Sequence, residues 1–540
     1  MEFTLLNKMA RLKSMFFIAI LLLSFQSCKK SDSDSVSGEL TTVKVKLSVG
    51  SPEEERIAYG SNKSTTRVQE SNVQLSNVQI SDNMSMEVMV IRDVEPSAIR
   101  GTSGSNNAAK AATQTVTNTL TPGVKYRIMV YDNGGAHKGN YDYIYGSEPT
   151  TGGIQLNAGE TYTFVVYSVN STSDLPDASN QGSLSTASLS NISSDLMFFK
   201  KTLTLNHGDN NLNAILVHKF SQITTTIEMD DSMTGSIEAI SNTRFSPTKA
   251  SGSLKFSDES LSFPNANGQT NVTFPAITPG LRTITSNPTF LISKSVTDAI
   301  FTFGSITLDA ETKTGIEVKN VKITPGHKYN LVLRFRACTQ NVTSDALNWR
   351  YEEATWTTWD FWNGLVNHIG IIKDGKRIKN NEIITNSFSA PQANYGFQFD
   401  ITELDNALNM RVNNQYIFGT SFSDQIQFQT NTKLGTQRNI AFEDGTEYAT
   451  NGINEVFHLK GTLEKPLIRI MISRTGEVTM LGSKTNEGPL VPLRLKGGKQ
   501  FNKVNWSATG PNTVVVSQKV DGRTIVIGKG YGRKRINCPN

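Results

Sequence analysis

Three groups of residues in this chain could do chemistry. The cysteines number only three, Cys28, Cys338 and Cys538. That count excludes a disulfide scaffold and a multi-cysteine zinc module. Cys338 and Cys538 could pair in an oxidising compartment, and closing so long a loop would contribute about 5 kcal/mol in the chain-entropy model. The six histidines are His137, His207, His218, His327, His368 and His458. None forms an H-E-x-x-H pair, and no G-x-S-x-G elbow or P-loop accompanies them. The loop from Asp132 to Asp142 offers oxygen ligands without the regular spacing of a calcium site, so it reads as a hairpin connection. No catalytic residue, metal or cofactor is assigned, and the chain is not expected to be an enzyme. The third group is aromatic. Trp349, Trp356, Trp359 and Trp362 fall close together, although the chain has only 5 Trp. They read first as an apolar plug between domains and second as a platform for sugar rings. Asp400, Asp405 and Asn406 are assigned to polar loops similar in texture to those of lectin-like adhesin domains. Structural turns explain them equally well.

Cys28 is placed by a leader. Lys8, Arg11 and Lys13 precede an apolar run from Met15 to Phe25. A spanning helix needs about 20 apolar residues, so this shorter run reads as a secretory signal peptide over 1–27. Leu23-Ser24-Phe25-Gln26-Ser27-Cys28 resembles a bacterial lipobox, with Phe25 and Gln26 departing from the strict pattern. Cys28 is therefore the expected lipidation site, carrying palmitate or a similar chain as the membrane anchor. No later segment is apolar enough to span as a helix. Residues 28–40, which include Lys29, Lys30, Asp32 and Asp34, form a polar tether that cannot build a core.

The remaining chain reads as strands and turns. The length of 540 residues suggests several domains, and 41 Gly with 19% charged residues fits a turn-rich all-β protein. The net charge of +5 is small for this length and implies no nucleic-acid partner. Val43, Val45 and Leu47 alternate with polar residues, which predicts a half-buried strand. A polar stretch from Ser51 to Glu70 follows, with Arg56 and Arg67 inside it. Thr121-Pro122-Gly123-Val124-Lys125-Tyr126 leads into an apolar run, and Thr324-Pro325-Gly326-His327-Lys328-Tyr329 repeats the phrase. Asn157-Ala158-Gly159-Glu160-Thr161-Tyr162 is a looser copy. Each is a tight turn that launches a strand. Ser168 to Ser194 reads as a long surface loop, and Lys529, Arg533, Lys534 and Arg535 as a solvated basic end. The expected division is β-domains at 41–210 and 211–345, a Trp-rich linker at 346–363, and a third β-sandwich or jelly-roll-like module at 364–540.

The leader, the repeated turn-strand units, the run Gly159 to Ser168 and Asp195-Leu196-Met197-Phe198-Phe199 together resemble the fimbrillin family of Bacteroidetes, the surface pilus subunits of the FimA and Mfa types. The resemblance covers about residues 40–345. It implies two tandem transthyretin-like β-sandwiches and export as an outer-membrane lipoprotein. In shaft members an arginine-specific protease removes the first strand, and a strand from a neighbouring subunit fills the groove. Carried onto this chain, the cut falls at Arg67 or, second, Arg56. The partners implied are other fimbrillin subunits. The extra C-terminal module suggests an anchor or tip rather than a shaft subunit. The alternative is a lipid-anchored protein that captures host or microbial glycans or proteins on a pilin-like stalk.

Overall fold

The computed structural model describes residues 39–50, 72–93, 119–148, 153–264, 266–294, 297–430 and 435–539. Cys28, Arg56 and Arg67, with the leader and most of the tether, lie outside the described residues. Among the described residues the regular structure is strands, apart from two 3₁₀ turns at Val456–His458 and Lys496–Gly498. The fold is all-β, as the composition predicts.

The first seven-stranded sheet curls on itself. Strands Lys125–Asp132, His137–Ile144, Thr161–Ser168 and Met197–Thr204 form one side. Asp209–His218, Leu40–Gly50 and Ile154–Asn157 form the other. Among the described residues the backbone pairing that joins the sides is Val217 with Phe198 and His218 with Met197. The sheet can therefore fold over, and both sides share a core containing Val43, Ile128, Phe164, Leu212 and Leu216. The opposite face of the larger side is covered too. Tyr131, Val165, Tyr167 and Phe198 pack on Leu189, Leu254 and Phe256. Leu189 belongs to strand Ser188–Ile192, which pairs with Gly252–Lys255. The Ser168 to Ser194 stretch is thus more than the surface loop expected. Among its sparse apolar residues Val169, Ala178, Ala187, Leu189 and Ile192 are buried, and Leu175 and Leu184 are partly so.

The second sandwich packs Ser221–Met229 and Lys328–Ala337 against Thr297–Leu308 and Arg244–Thr248, around Phe245, Phe301, Phe303 and Phe335. The expected span 41–210 does not stay in one sandwich. The hairpin formed by Val73–Ser81 and Met84–Arg92 joins this second sheet instead. Met84–Arg92 pairs antiparallel with Lys328–Ala337 from Ala337 opposite Met84 to Tyr329 opposite Arg92. Met84, Met86, Val88 and Val90 enter the second core. Alternation buries the same side chains whichever sheet a strand joins, so the pattern could not reveal the crossing.

The third module has its own core between two sheets, with Phe397, Phe399, Ile401, Met410, Val514 and Val516. Thr339–Tyr351 and Thr524–Arg535 pair along most of their length, so the last strand returns to where the module begins. Residues 346–363 are not a linker. They finish strand Thr339–Tyr351 and continue into a hairpin of Glu353–Asp360 and Gly364–Lys373. Nor is the basic end simply solvated. Arg533 is buried, and Arg535 binds Glu311 of the second sandwich through two contacts of 2.8 and 2.6 Å. Alternate side chains of this strand face inward, and the inward ones include two arginines.

The repeated turns share a device. Gly123, Gly159 and Gly326 all have φ between 79 and 94°, in the left-handed region that suits glycine. In the second copy the Thr324 N–H donates to the Tyr329 hydroxyl at 2.9 Å. In the looser copy the Asn157 N–H donates to the Tyr162 hydroxyl at 3.4 Å. A tyrosine five residues on thus satisfies the backbone donor that opens the turn. In the first copy the Tyr126 hydroxyl donates to Glu148 instead, at 3.0 Å. A further Thr278-Pro279-Gly280, which sequence reading passed over, leads only into the short strand Thr283–Thr285.

Candidate functional site

The first strand, Leu40–Gly50, is the middle strand of the smaller side of the first sandwich. It runs parallel to Asp209–His218, from Thr42 opposite Asp209 to Gly50 opposite Val217. On its other edge Leu40 to Val43 pair antiparallel with Ile154–Asn157. Ile154–Asn157 has no other strand partner among the described residues. Gly153 makes this approach possible, because a Cβ there would lie 2.2 Å from the Val43 carbonyl oxygen. Val43 and Leu47 are buried in the first core, while Lys44 and Lys46 are exposed. Burying two such side chains stabilises the strand by about 3–6 kcal/mol. Without this strand, one edge of Asp209–His218 and all of Ile154–Asn157 would lose their backbone partners. The space left would be one strand wide, with apolar sockets two to four residues apart.

The strand ends at a junction. Val49 and Gly50 line a cavity of about 300 Å³ between the first two sandwiches. Both full Thr-Pro-Gly turns border it, through Thr121 and through Gly326 and His327. His218 is also on its wall, with Nδ1 2.6 Å from Asp195 Oδ1. Asn170 donates to the other Asp195 oxygen at 3.0 Å. His218 closes strand Asp209–His218. It forms a part-buried pair with Asp195, a partner too distant in sequence to infer.

The far junction is built differently. Cys338 and Cys538 form a disulfide across 200 residues. Their N–H groups donate to the carbonyls of Asn83 and Asp82, in the turn of the hairpin that joins the second sheet. Arg469 reaches Asp400 at 2.7 Å and Asp231 of the second sandwich at 3.0 Å. Arg282 is buried and donates to the carbonyls of Gly235, Asp230 and Met233 at 2.8, 2.7 and 3.0 Å. Burial lowers its pKa to about 10. Asp309 accepts from Thr234 at 2.7 Å, and burial pushes its carboxyl up to about 6.

The residues proposed for glycan contact do not converge. Trp349 is a core residue of the third module. Asp400 is buried within strand Phe397–Leu404 and held by Arg469 and Gln398. It is not in a loop, because the strand continues through it. Asp405 is buried beside Arg523 at 3.3 Å, and burial lifts its carboxyl to about 7. Asn406 is buried next to it. Trp359 and Trp362 are the opposite case, 75% and 87% exposed. They lie at the end of the hairpin and cannot act as a plug between domains. Trp356 is half-buried under Arg377, 5.9 Å from its ring centre. Among the described residues no group of three His, Cys, Asp or Glu side chains is gathered to hold a metal.

No protein-family model and no curated protein matches the chain. Solved structures offer partial likenesses. A proposed cell adhesion protein from Bacteroides uniformis is 14% identical, with a TM-score of 0.29, over 47% of this chain and 93% of that one. A fimbrial assembly protein from Parabacteroides distasonis is 13% identical, with a TM-score of 0.24, over 47% of this chain and 90% of that one. The fimbrial anchor protein Mfa2 from Porphyromonas gingivalis is 10% identical, with a TM-score of 0.25, over 41% and 89%.

Proposed function

We propose that this chain is a cell-surface, fimbrillin-like component of a pilus, exported with lipid on Cys28: uncut, it stays anchored by that lipid; cut, it sheds the lipid and accepts a strand from a neighbouring subunit. The observation that carries this reading is the seat of Leu40–Gly50. It is the middle of three strands, its two neighbours depend on it, and the segment bearing Arg56 and Arg67 follows it. A cut at Arg67 or Arg56 would detach this strand together with the Cys28 tether and no later strand. The next described strands are held in the second sheet by their pairing with Lys328–Ala337. The vacated groove would then take an extended segment by backbone hydrogen bonding, with sockets selecting alternate side chains.

The far junction supports a terminal position, anchor or tip, over a shaft position. The second sandwich passes through Cys338 directly into a strand paired with Thr524–Arg535, and the disulfide ties both ends. Among the described residues no long extended segment is left unpaired to serve as a donor. N-terminal sequencing and intact-mass analysis of the protein recovered from the cell surface test the reading. A lipidated Cys28 or a new N-terminus after Arg67 or Arg56, in material that includes pili, is expected. An unlipidated, uncut protein absent from pili would refute it. The second reading, a lipid-anchored glycan receptor, draws on the exposure of Trp359 and Trp362. Binding of the intact monomer to an oligosaccharide array would favour it.

A further inference from the structure

The hairpin of Glu353–Asp360 and Gly364–Lys373 stands apart from the two sheets of the third module. Its strands pair without a register shift from Glu353 opposite Ile371 to Asp360 opposite Gly364. A short third strand, Lys376–Lys379, covers only the Gly370 to Lys373 end of the second strand. Among the described residues nothing pairs with the outer edge of Glu353–Asp360. That edge reads Ala354-Thr355-Trp356-Thr357-Thr358-Trp359, with no charge, proline or glycine. Large apolar side chains surround it: Trp359 is 75% exposed, Phe361 83%, Trp362 87% and Leu365 73%.

Free edges of this kind are normally blunted by charge, bulges or covering segments, because they template pairing with another chain. Two other edges in this molecule follow that rule. His137–Ile144 carries Lys138 and Asp142, and its register shifts between Val130 and Tyr131 of its neighbour. Val73–Ser81 has a shift near Gln79, and the Gln74 side chain bonds the Lys322 backbone on both its N–H and its carbonyl. The Ala354–Trp359 edge has none of these devices. Its composition, β-branched and aromatic, is that of a strand inside a sheet.

We propose that this edge pairs antiparallel with the same edge of a second copy of the chain, about a two-fold axis through Thr357. Self-complementarity decides the occupant and the register. An axis between Trp356 and Thr357 would set Glu353 opposite Asp360. An axis at Trp356 would set Glu352 opposite Asp360. Like charges directly opposite destabilise a sheet. The axis at Thr357 keeps the longest overlap, residues 354–360, without such a pair. It sets Thr355 opposite Trp359 and Ala354 opposite Asp360. Each Trp359 then lies across the other copy's Thr355, on the face that also carries Leu365 and Ile369. Three aromatics this exposed offer on the order of 500 Å² per copy before the strand edges are counted. A stable interface needs about 800 Å² from each partner. A sugar platform fits less well. The Phe361 and Trp362 rings are perpendicular at 89°, and Asp360 is engaged by the N–H groups of Trp362 and Asn363.

Sedimentation velocity on the full chain carrying Cys28→Ser tests the proposal between 1 and 100 μM, concentrations of the order at which weak assemblies form. A dimer is expected, and Thr357→Lys, which sets two ammonium groups at the axis, should weaken it at least about tenfold. The same background with Thr357→Cys should yield an intermolecular disulfide, because a residue on the axis faces its own copy at about 5 Å. Thr358→Cys, which faces Trp356, should not. Circular dichroism checks that each variant is folded. A monomer at every concentration overturns the proposal, and so does a dimer that survives Thr357→Lys. Equal cross-linking at 357 and 358 also overturns it. So does a monomer that binds phosphatidylcholine vesicles or a glycan array through the hairpin.

Discussion

The first and last strands of the described chain are held in opposite ways. Leu40–Gly50 is central to a three-strand layer, but its hold is short-sided: one neighbour pairs along the strand and the other only over Leu40 to Val43. Thr524–Arg535 lies between Thr339–Tyr351 and Phe397–Leu404, is paired on both edges, and ends beside a disulfide. Both bury alternate side chains, so burial alone does not separate them. The difference is covalent and electrostatic. One strand could leave as a unit, while the other is tied to two modules at once. Exchange of a strand needs the first arrangement, and transmission of load across a junction needs the second.

The largest effect should come from opening the locked end. Cys538→Ser removes a 200-residue closure, so a loss of about 3–5 kcal/mol is expected. Chemical denaturation of the variant measures it, and a change below about 1 kcal/mol would remove the basis for calling this end locked. Next is the exchangeable end. Leu47→Ala should cost about 2–4 kcal/mol in the intact chain. Removing the whole strand should cost more than Leu47→Ala does, and that comparison isolates the contribution of the strand's backbone pairing.

A smaller effect belongs to the junction carboxyl. Asp309 has its folded pKa raised by burial to about 6. A raised carboxyl favours the folded state in its protonated form. Its contribution is fully favourable below the unfolded value near 4 and is lost as pH rises to about 6. Asp309→Asn should therefore gain about 2 kcal/mol relative to the parent at pH 8 and nearly nothing at pH 4, read from thermal melts at both values. The same gain at both pH values would refute the assignment. The smallest effect concerns the repeated turn. Tyr329→Phe leaves the Thr324 N–H without its acceptor and should cost about 1 kcal/mol. Tyr162→Phe, with its longer contact, should cost less.

Much of the fold was legible in the chain. The alternation at Val43, Val45 and Leu47 identifies a strand, and the Thr-Pro-Gly phrases identify turns with glycine in the left-handed region. Cys338 and Cys538 could be named as a possible pair, and the structure joins them. The site was less legible. Asp400 reads as a loop residue from its own polarity and the polar stretch that follows, yet it sits between Phe399 and Ile401 in a strand opposite Arg469. The four tryptophans read as one group because they are close in sequence. The structure buries Trp349 and exposes Trp359 and Trp362, since the chain turns out of the module's core between them.

Local pattern determined which segments are strands, where they turn and which side chains share a face. These follow from backbone geometry and side-chain shape within a few residues. Only the tertiary structure decided which edge each strand meets. Outside the hairpins a strand's hydrogen bonds go to residues scores or hundreds of positions away, and the same alternation satisfies any sheet with an apolar face. That is why the hairpin at Val73–Arg92 could cross to the second sandwich unseen. It is also why the two terminal strands, alike in pattern, differ in how firmly they are held.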